Sequence, residues 1–357
     1  MKKIGILTSG GDCAGLNAAI GAVTRAAAQK GYETIGIREG TKGLMGPDLS
    51  YEVLNPARFT ADIMQKPSTF LGTTNKGDPF AYPMPDGSKK DRSDEIIENI
   101  HKLGIETLIG IGGDGSMEIL HALAKKGGFN LVWIPKTIDN DVYHTELSIG
   151  FYSAVRTAVH FMHDLHATAQ THDLIMVTEV MGRDAGHLAL HAGLAASADI
   201  ILIPEIPYTF EHLIQKYEDI KKTGRNYAHI VVSEAVRDMQ GQKVQKQHAS
   251  GRVSYGGIGA YLKDKLGEAT QAEVRVQSPG HTLRGCAPTA NDIILAMRFG
   301  VRAVDLIVEG RFGRMVAIQN GDIVDVAAED VAGRSHTVDV NGAMVHTAKS
   351  LGISFGD

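Results

Sequence analysis

The residues of this chain best suited to chemistry lie in two short loops, Gly112-Gly113-Asp114-Gly115-Ser116 and Pro135-Lys136-Thr137-Ile138-Asp139-Asn140-Asp141. Consecutive glycines let a backbone approach a phosphate closely. A helix that begins just beyond them offers unpaired N–H donors and the positive end of its dipole. Asp114 would repel a phosphate, so its place among glycines suits a ligand for the Mg²⁺ that accompanies a nucleotide. Asp139 and Asp141, with Asn140 between them, suit a base for a hydroxyl and a second carboxylate near that metal. Either loop alone is ordinary turn chemistry. The pair gains meaning from the elements that must carry it.

The apolar, β-branched run from Leu108 to Ile111 reads as a buried parallel strand, and Leu131 to Ile134 as the next one. Between them, Met117, Ile119, Leu120 and Leu123 fall at helical spacing, and Lys125-Lys126-Gly127-Gly128 is a stop signal. One βαβ unit therefore brings both loops to the carboxyl ends of its strands, the edge at which an open α/β sheet binds ligands. The theme already occurs at the start of the chain. A strand over residues 4–8 leads into Gly10-Gly11-Asp12 and a helix from about Gly15 to Ala28. That spacing matches neither a dinucleotide fingerprint nor a P-loop. Residues 67–92 form a long Gly-, Pro- and Thr-rich loop, in which Thr73, Thr74, Asn75 and Lys76 offer polar groups and one cation to a phosphate.

Alternation continues downstream. A helix is expected over 147–166, and a strand over 173–180 ending in Met181-Gly182-Arg183. A helix over 187–195, a strand over 199–205 and an amphipathic helix over 210–222 come next, then a strand over 227–232 that ends at Ser233-Glu234. A polar surface excursion (238–255) precedes a strand over 273–277 and a polar turn over 278–286. The last large elements are a helix over 289–309 and a hairpin over 315–326 around Gln319-Asn320-Gly321. Such a pattern argues for two doubly wound α/β sheets.

A length of 357 residues suits two domains, and 43% apolar with 22% charged residues is ordinary soluble composition. A net charge of −5 and the lack of a long basic cluster argue against nucleic acid or a membrane surface as partner. Met1-Lys2-Lys3 leads straight into a strand, and no apolar stretch approaches membrane-spanning length. Cys13 and Cys286 have neither metal spacing nor a disulfide framework, so a cytoplasmic location is expected.

In chain order, Gly10-Gly11-Asp12 with Gly15 and Asn17, GGDGS at 112–116, PKTIDND at 135–141, MGR at 181–183, Ser233-Glu234 and PGHTLRG at 279–285 resemble the 6-phosphofructokinase family over essentially the whole chain. A lone GGDG is shared with NAD kinases and lipid kinases, which lack the other motifs. The resemblance implies two Rossmann-like domains with the active site in the cleft between them. Residues 1–150 plus 283–333 would hold ATP and Mg²⁺, and residues 151–282 plus 334–357 would hold fructose 6-phosphate. The implied reaction, at the committed step of glycolysis, moves the γ-phosphoryl group of ATP to the 1-hydroxyl, giving fructose 1,6-bisphosphate. Asp139 is the implied base. Thr137 would touch the transferring group, and Arg183 would neutralise charge on it or on the sugar phosphate. The donor would lie against Gly11, Thr73, Asn75, Lys76, Gly113, Asp114, Gly115, Ser116 and Lys136, with Asp114 on the metal. Asp141, Met181, Gly182, Glu234, Arg275, His281 and Arg284 complete the implied substrate set. Arg275 would reach across a subunit boundary, which implies a homodimer or homotetramer.

Several positions depart from the ATP-using bacterial pattern. Lys136 is the residue that pyrophosphate users carry, whereas Gly115 is the ATP-type residue, a combination that suggests a mixed clade. An aspartate at 115 would crowd and repel an α-phosphate, while Lys136 serves either donor, so ATP is expected. A pyrophosphate-dependent enzyme is the alternative, and an inactive nucleotide-binding regulatory paralogue a remote one. Asn75-Lys76 replaces an arginine that bridges the transferring phosphates, and Leu174 stands where relatives often place an arginine for the sugar 6-phosphate. Gly21 and Leu54 replace arginines of the regulatory cluster, although Arg25 and the carboxylate of Asp199 remain. Little response to ADP or phosphoenolpyruvate is expected.

Overall fold

The computed structural model describes residues 2–75, 77–247 and 253–357. The chain divides into two compact units, one of Met1–Ile138, Val142–Ser153 and Arg284–Ser335, the other of Asp139–Asp141, Ala154–Leu283 and His336–Asp357. The first unit is built on a seven-stranded sheet in the order Asp322–Ala327, Arg314–Gln319, Asn130–Pro135, Ile105–Gly112, Lys2–Thr8, Tyr32–Ile37, Tyr51–Val53. The five central strands are parallel, and each edge strand is antiparallel to its neighbour. From Lys2–Thr8 the chain passes to one side of the sheet and later returns to the other. The strand order therefore reverses between Lys2–Thr8 and Ile105–Gly112, the switch point at which such sheets open a crevice beyond their carboxyl ends.

Both faces of these central strands are buried, which explains their unbroken apolar runs. The core under the sheet includes Leu7, Ile37, Leu108, Leu120, Trp133 and Met315. The helices Leu16–Gln29 and Ala290–Val308 pack closely, for a Cβ on Gly300 would stand 2.8 Å from the Cβ of Ala22. The second unit carries four parallel strands in the order Val274–Gln277, Ile175–Val180, Ala228–Ser233, Ile200–Leu202, around a core with Val177, Leu202, Leu213, Ile230 and Leu262. This mixed α/β architecture agrees with the fold class read from the sequence. Among the described residues no helix is long and apolar enough to cross a membrane.

Differences from the sequence reading are local. The helix expected from Met117 starts at Asp114, so Asp114, Gly115 and Ser116 form its first turn. The helix expected from 147 starts at Phe151, because Ile149 bridges to Lys136 and Gly150 takes φ 102°, outside the helical region. The strand after Asp199 is only Ile200–Leu202. Residues 67–92 contain a 3₁₀ turn, Pro79–Ala81, and a short ladder pairing Tyr82–Pro83 with Lys89–Lys90. The turn after 278 includes the short helix Thr282–Gly285. In the hairpin, Asn320 and Gly321 both take positive φ, 51° and 82°, as a two-residue connection of right-handed strands requires. Within the polar excursion, Gln245–Gln247 pairs antiparallel with Val253–Tyr255, while residues 248–252 lie outside the described residues.

Trp133, the sole tryptophan, is fully buried, and its ring occupies the place where a Cβ on Gly110 of the neighbouring strand would stand. Replacing Gly110 by alanine should overpack this contact and cost about 1–3 kcal/mol. Tryptophan fluorescence followed through thermal unfolding should show a lower midpoint; an unchanged midpoint would contradict the packing.

Candidate active site

Three strand ends of the first unit place their loops side by side. Backbone bonds join them: Ser9 N donates to Ile111 O at 2.9 Å, and Lys136 N to Gly112 O at 2.9 Å. The segment 72–74 lies along the first loop, with Gly10 N donating to Thr74 O at 2.9 Å and Thr73 Oγ1 to Gly10 O at 2.7 Å. Gly113 caps the helix Asp114–Gly127 in an extended conformation without a side-chain cap, which leaves its first amides open to an anion. A Cβ on Gly115 would meet nothing within 4 Å, and this residue is exposed. Ser116 faces the first loop, its Oγ 3.3 Å from the place of a Gly10 Cβ. Asn75 is exposed, and Lys76 lies outside the described residues.

Lys136 is 3% exposed, and its ammonium donates to Gly11 O. It is therefore turned toward the first glycine loop. Arg284 approaches the same loop: Nη1 donates to Asp12 O at 3.3 Å, and the guanidinium fills the place of a Gly11 Cβ. A side chain at 11 would displace this arginine. The resemblance assigns Arg284 to the sugar phosphate; the fold packs it against the donor loop of the first unit. Thr137 O accepts a 2.8 Å bond from Ser148 Oγ.

In the second unit, Asp139 and Asn140 are buried and Asp141 is half-buried. Asp141 O accepts from His336 N at 2.8 Å. Two strand ends meet nearby in the fold of this unit: Glu234 N donates to Val180 O at 2.9 Å, and Ser233 Oγ to Gly182 O at 3.1 Å. Gly182 has φ 149° and no room for a Cβ, which would lie 2.8 Å from Ser233 Oγ. Met181, Gly182, Arg183 and Glu234 are thus brought together at one sheet edge. Arg183 is 69% exposed, with an ion pair to Asp184 at 3.4 Å that contributes little at such exposure. Arg275 is not brought to that edge. It pairs in register with Met176, four residues before Val180, and its guanidinium is ion-paired with Glu273. His281 is exposed on the turn that follows. Leu174 is 6% exposed, clustered with Ala169 and Met176.

Among the described residues no three His, Cys, Asp or Glu side chains are grouped to hold a metal by themselves. Nucleotide-bound Mg²⁺ takes only one or two carboxylates, and a half-buried Asp114 in the first turn of a helix fits that donor set.

Residues 3–307 match the sequence pattern of the phosphofructokinase family, and the chain belongs to that family. It is 48% identical over 365 residues to the ATP-dependent 6-phosphofructokinase 1 of Synechocystis sp., an alignment that covers 100% of this chain and 99% of the relative. Among solved structures it is similar to Pichia pastoris phosphofructokinase in the T-state, with TM-score 0.79 and 28% identity; 92% of this chain is covered, but it spans only 35% of that one. A pyrophosphate-dependent phosphofructokinase from Nitrosospira multiformis shares the fold, with TM-score 0.78 at 22% identity, covering 100% of this chain and 93% of that one.

His187 begins the helix that follows the Met181–Arg183 loop, and its Nε2 lies 3.0 Å from His336 O. Burial, then the neighbouring His336, push its pKa down to about 4. His229, buried and stacked on His166 at 4.6 Å, is likewise pushed down to about 4. The unfolded chain binds these protons near pH 6.5 and the folded chain does not. Stability is therefore full above pH 6.5 and declines as the pH falls toward 4. Each histidine should cost about 2 kcal/mol by pH 5. Urea midpoints at pH 7.5 and pH 5 should differ accordingly, and the difference should shrink in His187→Gln.

Proposed function

We propose that this chain transfers the γ-phosphoryl group of ATP to the 1-hydroxyl of D-fructose 6-phosphate, giving fructose 1,6-bisphosphate and ADP in glycolysis. The observation that carries the reading is 48% identity, end to end, with an ATP-dependent 6-phosphofructokinase. The open space at Gly115 supports ATP over pyrophosphate, since it leaves room beyond the two phosphates that both donors share.

In this reading Asp139 accepts the proton of the 1-hydroxyl as its oxygen forms the new bond to phosphorus, and the bond from phosphorus to the ADP oxygen breaks. Thr137 contacts the transferring group. The open amides after Gly113 and the Gly11 loop hold the donor phosphates, with Thr73, Asn75, Lys76, Ser116 and Lys136 beside them. Lys136 also keeps the two loops together, so its charge serves the donor from a fixed place. Mg²⁺, held by Asp114, would neutralise donor phosphate charge when bound. Arg183 offsets charge on the acceptor side, Met181, Gly182, Glu234 and His281 orient the sugar phosphate, Arg284 faces it from the Gly11 loop on which it packs, and Asp141 stands near the metal. The position of Arg275 on its strand, short of the Met181–Arg183 edge, supports its use by a neighbouring copy in a homo-oligomer. A cytoplasmic site of action goes with this reading.

Purified protein should form fructose 1,6-bisphosphate from ATP and not from pyrophosphate; turnover with pyrophosphate alone would overturn the donor assignment. Asp139→Asn should lower kcat by roughly 10²–10⁴ while the fold is kept. Gly115→Asp should raise KM for ATP about ten-fold or more. Its unfolding midpoint should hold, because a Cβ at 115 meets no protein atom within 4 Å and a carboxylate suits a helix N-terminus.

A further inference from the structure

Asp292 lies in the first turn of the helix Ala290–Val308 and is fully buried, yet none of the roles above uses it. Its carboxylate accepts three bonds. Oδ1 takes Gly150 N at 3.0 Å, and Oδ2 takes Ser153 N at 2.7 Å and Ser153 Oγ at 2.5 Å. Ser153 Oγ in turn accepts from Thr289 N at 2.9 Å, which closes the network on the cap of the Asp292 helix. Gly150 and Ser153 sit at the start of the helix Phe151–Thr171, where backbone amides lack helical acceptors. A side-chain cap needs only one acceptor atom. Here a buried carboxylate, whose pKa burial raises against the opposing pull of these bonds, also grips the amide ahead of the helix.

The backbone on the other side of Gly150 is tied to the loop that carries Thr137. Ile149 N donates to Pro135 O at 3.3 Å, Ile149 pairs with Lys136 in a parallel bridge, and Ser148 Oγ donates to Thr137 O at 2.8 Å. Cys13 Sγ donates to Ile149 O at 3.3 Å, and Gly150, at φ 102°, has no space for a Cβ beside that sulfur. Residues 148–150 are thus a strut, held at one end by Asp292 and bonded along its length to Pro135, Lys136 and Thr137. Asp139 follows Thr137 by two residues in the chain.

We propose that Asp292 is a positioning residue for phosphoryl transfer, which through Gly150 and the strut holds Thr137 and the start of the Asp139 loop in place. The proposal rests on the kinase reading above and adds a residue to it. Misplacement of a reacting group by about 1 Å can cost about 10²-fold in rate.

The test compares wild type, Asp292→Asn, Ser148→Ala and the double variant in kcat, both KM values, and hydrogen exchange of peptides spanning 135–150. Wild type assayed with ATP and fructose 6-phosphate is the control: silence there sinks the kinase reading, not this one. Asp292→Asn should lower kcat about ten-fold, leave KM for ATP within about two-fold, and speed exchange in 135–150. Ser148→Ala, which leaves the carboxylate network intact, should lower kcat in the same sense. The double variant should fall by less than the product of the two, because both residues act through one strut. A kcat for Asp292→Asn within two-fold of wild type per folded molecule would overturn the proposal, as would multiplicative losses or unchanged exchange. If Asp292→Asn does not fold, wild-type kcat and exchange in Ser148→Ala overturn it.

Discussion

A charge taken out of water must find partners, and in the first unit that requirement fixes the geometry of the loops. The Lys136 ammonium, almost wholly buried, is bonded to Gly11 O. That one bond joins the glycine loop after the first strand to the loop that carries Thr137. The Asp292 carboxylate in turn satisfies the amides of Gly150 and Ser153. With both groups bonded, segments far apart in the chain are held together. Removing either partner would leave a buried polar group unbonded rather than a simple gap.

The donor side follows from this arrangement. Close backbone approach needs small residues, and the Arg284 guanidinium occupies the room that Gly11 leaves. The first turn of the helix Asp114–Gly127 then presents open amides with an acidic residue at its start. In the second unit the acceptor-side groups meet by the same principle. Two parallel strands end level with one another, and Ser233 bonds to Gly182. Parallel strands bring their carboxyl ends to one edge, so polar loops after them gather there without any local signal to do so.

Leu174 shows how a departure from a family pattern acquires a physical meaning. The resemblance puts it where relatives often place an arginine. In the fold it belongs to a small apolar cluster with Ala169 and Met176, packed against Leu165 and Tyr227. An arginine there would bury its charge in that cluster. Charge beside it is already committed, as Arg225 pairs with Asp199 and lies over the Tyr227 ring.

What the sequence by itself determined are features set by neighbours in the chain. Apolar runs marked the buried strands, glycine pairs marked their ends, and Asn320-Gly321 marked the hairpin turn, because each depends on local backbone freedom and periodicity. Even there the helix starts at Asp114 and Phe151 were displaced, since a loop read as polar can enter a helix and an apolar stretch can be drawn out by a bridge to Lys136. Only the tertiary structure decided that Lys136 points inward, that Arg284 packs on Gly11, that Arg275 stands short of its sheet edge, and that Asp292 is a buried clasp. Asp292 is the third residue of a helix capped by Thr289, whose hydroxyl accepts from the Asp292 amide. Its bonds to Gly150 and Ser153 span more than a hundred residues, and no spacing within the chain encodes such a contact.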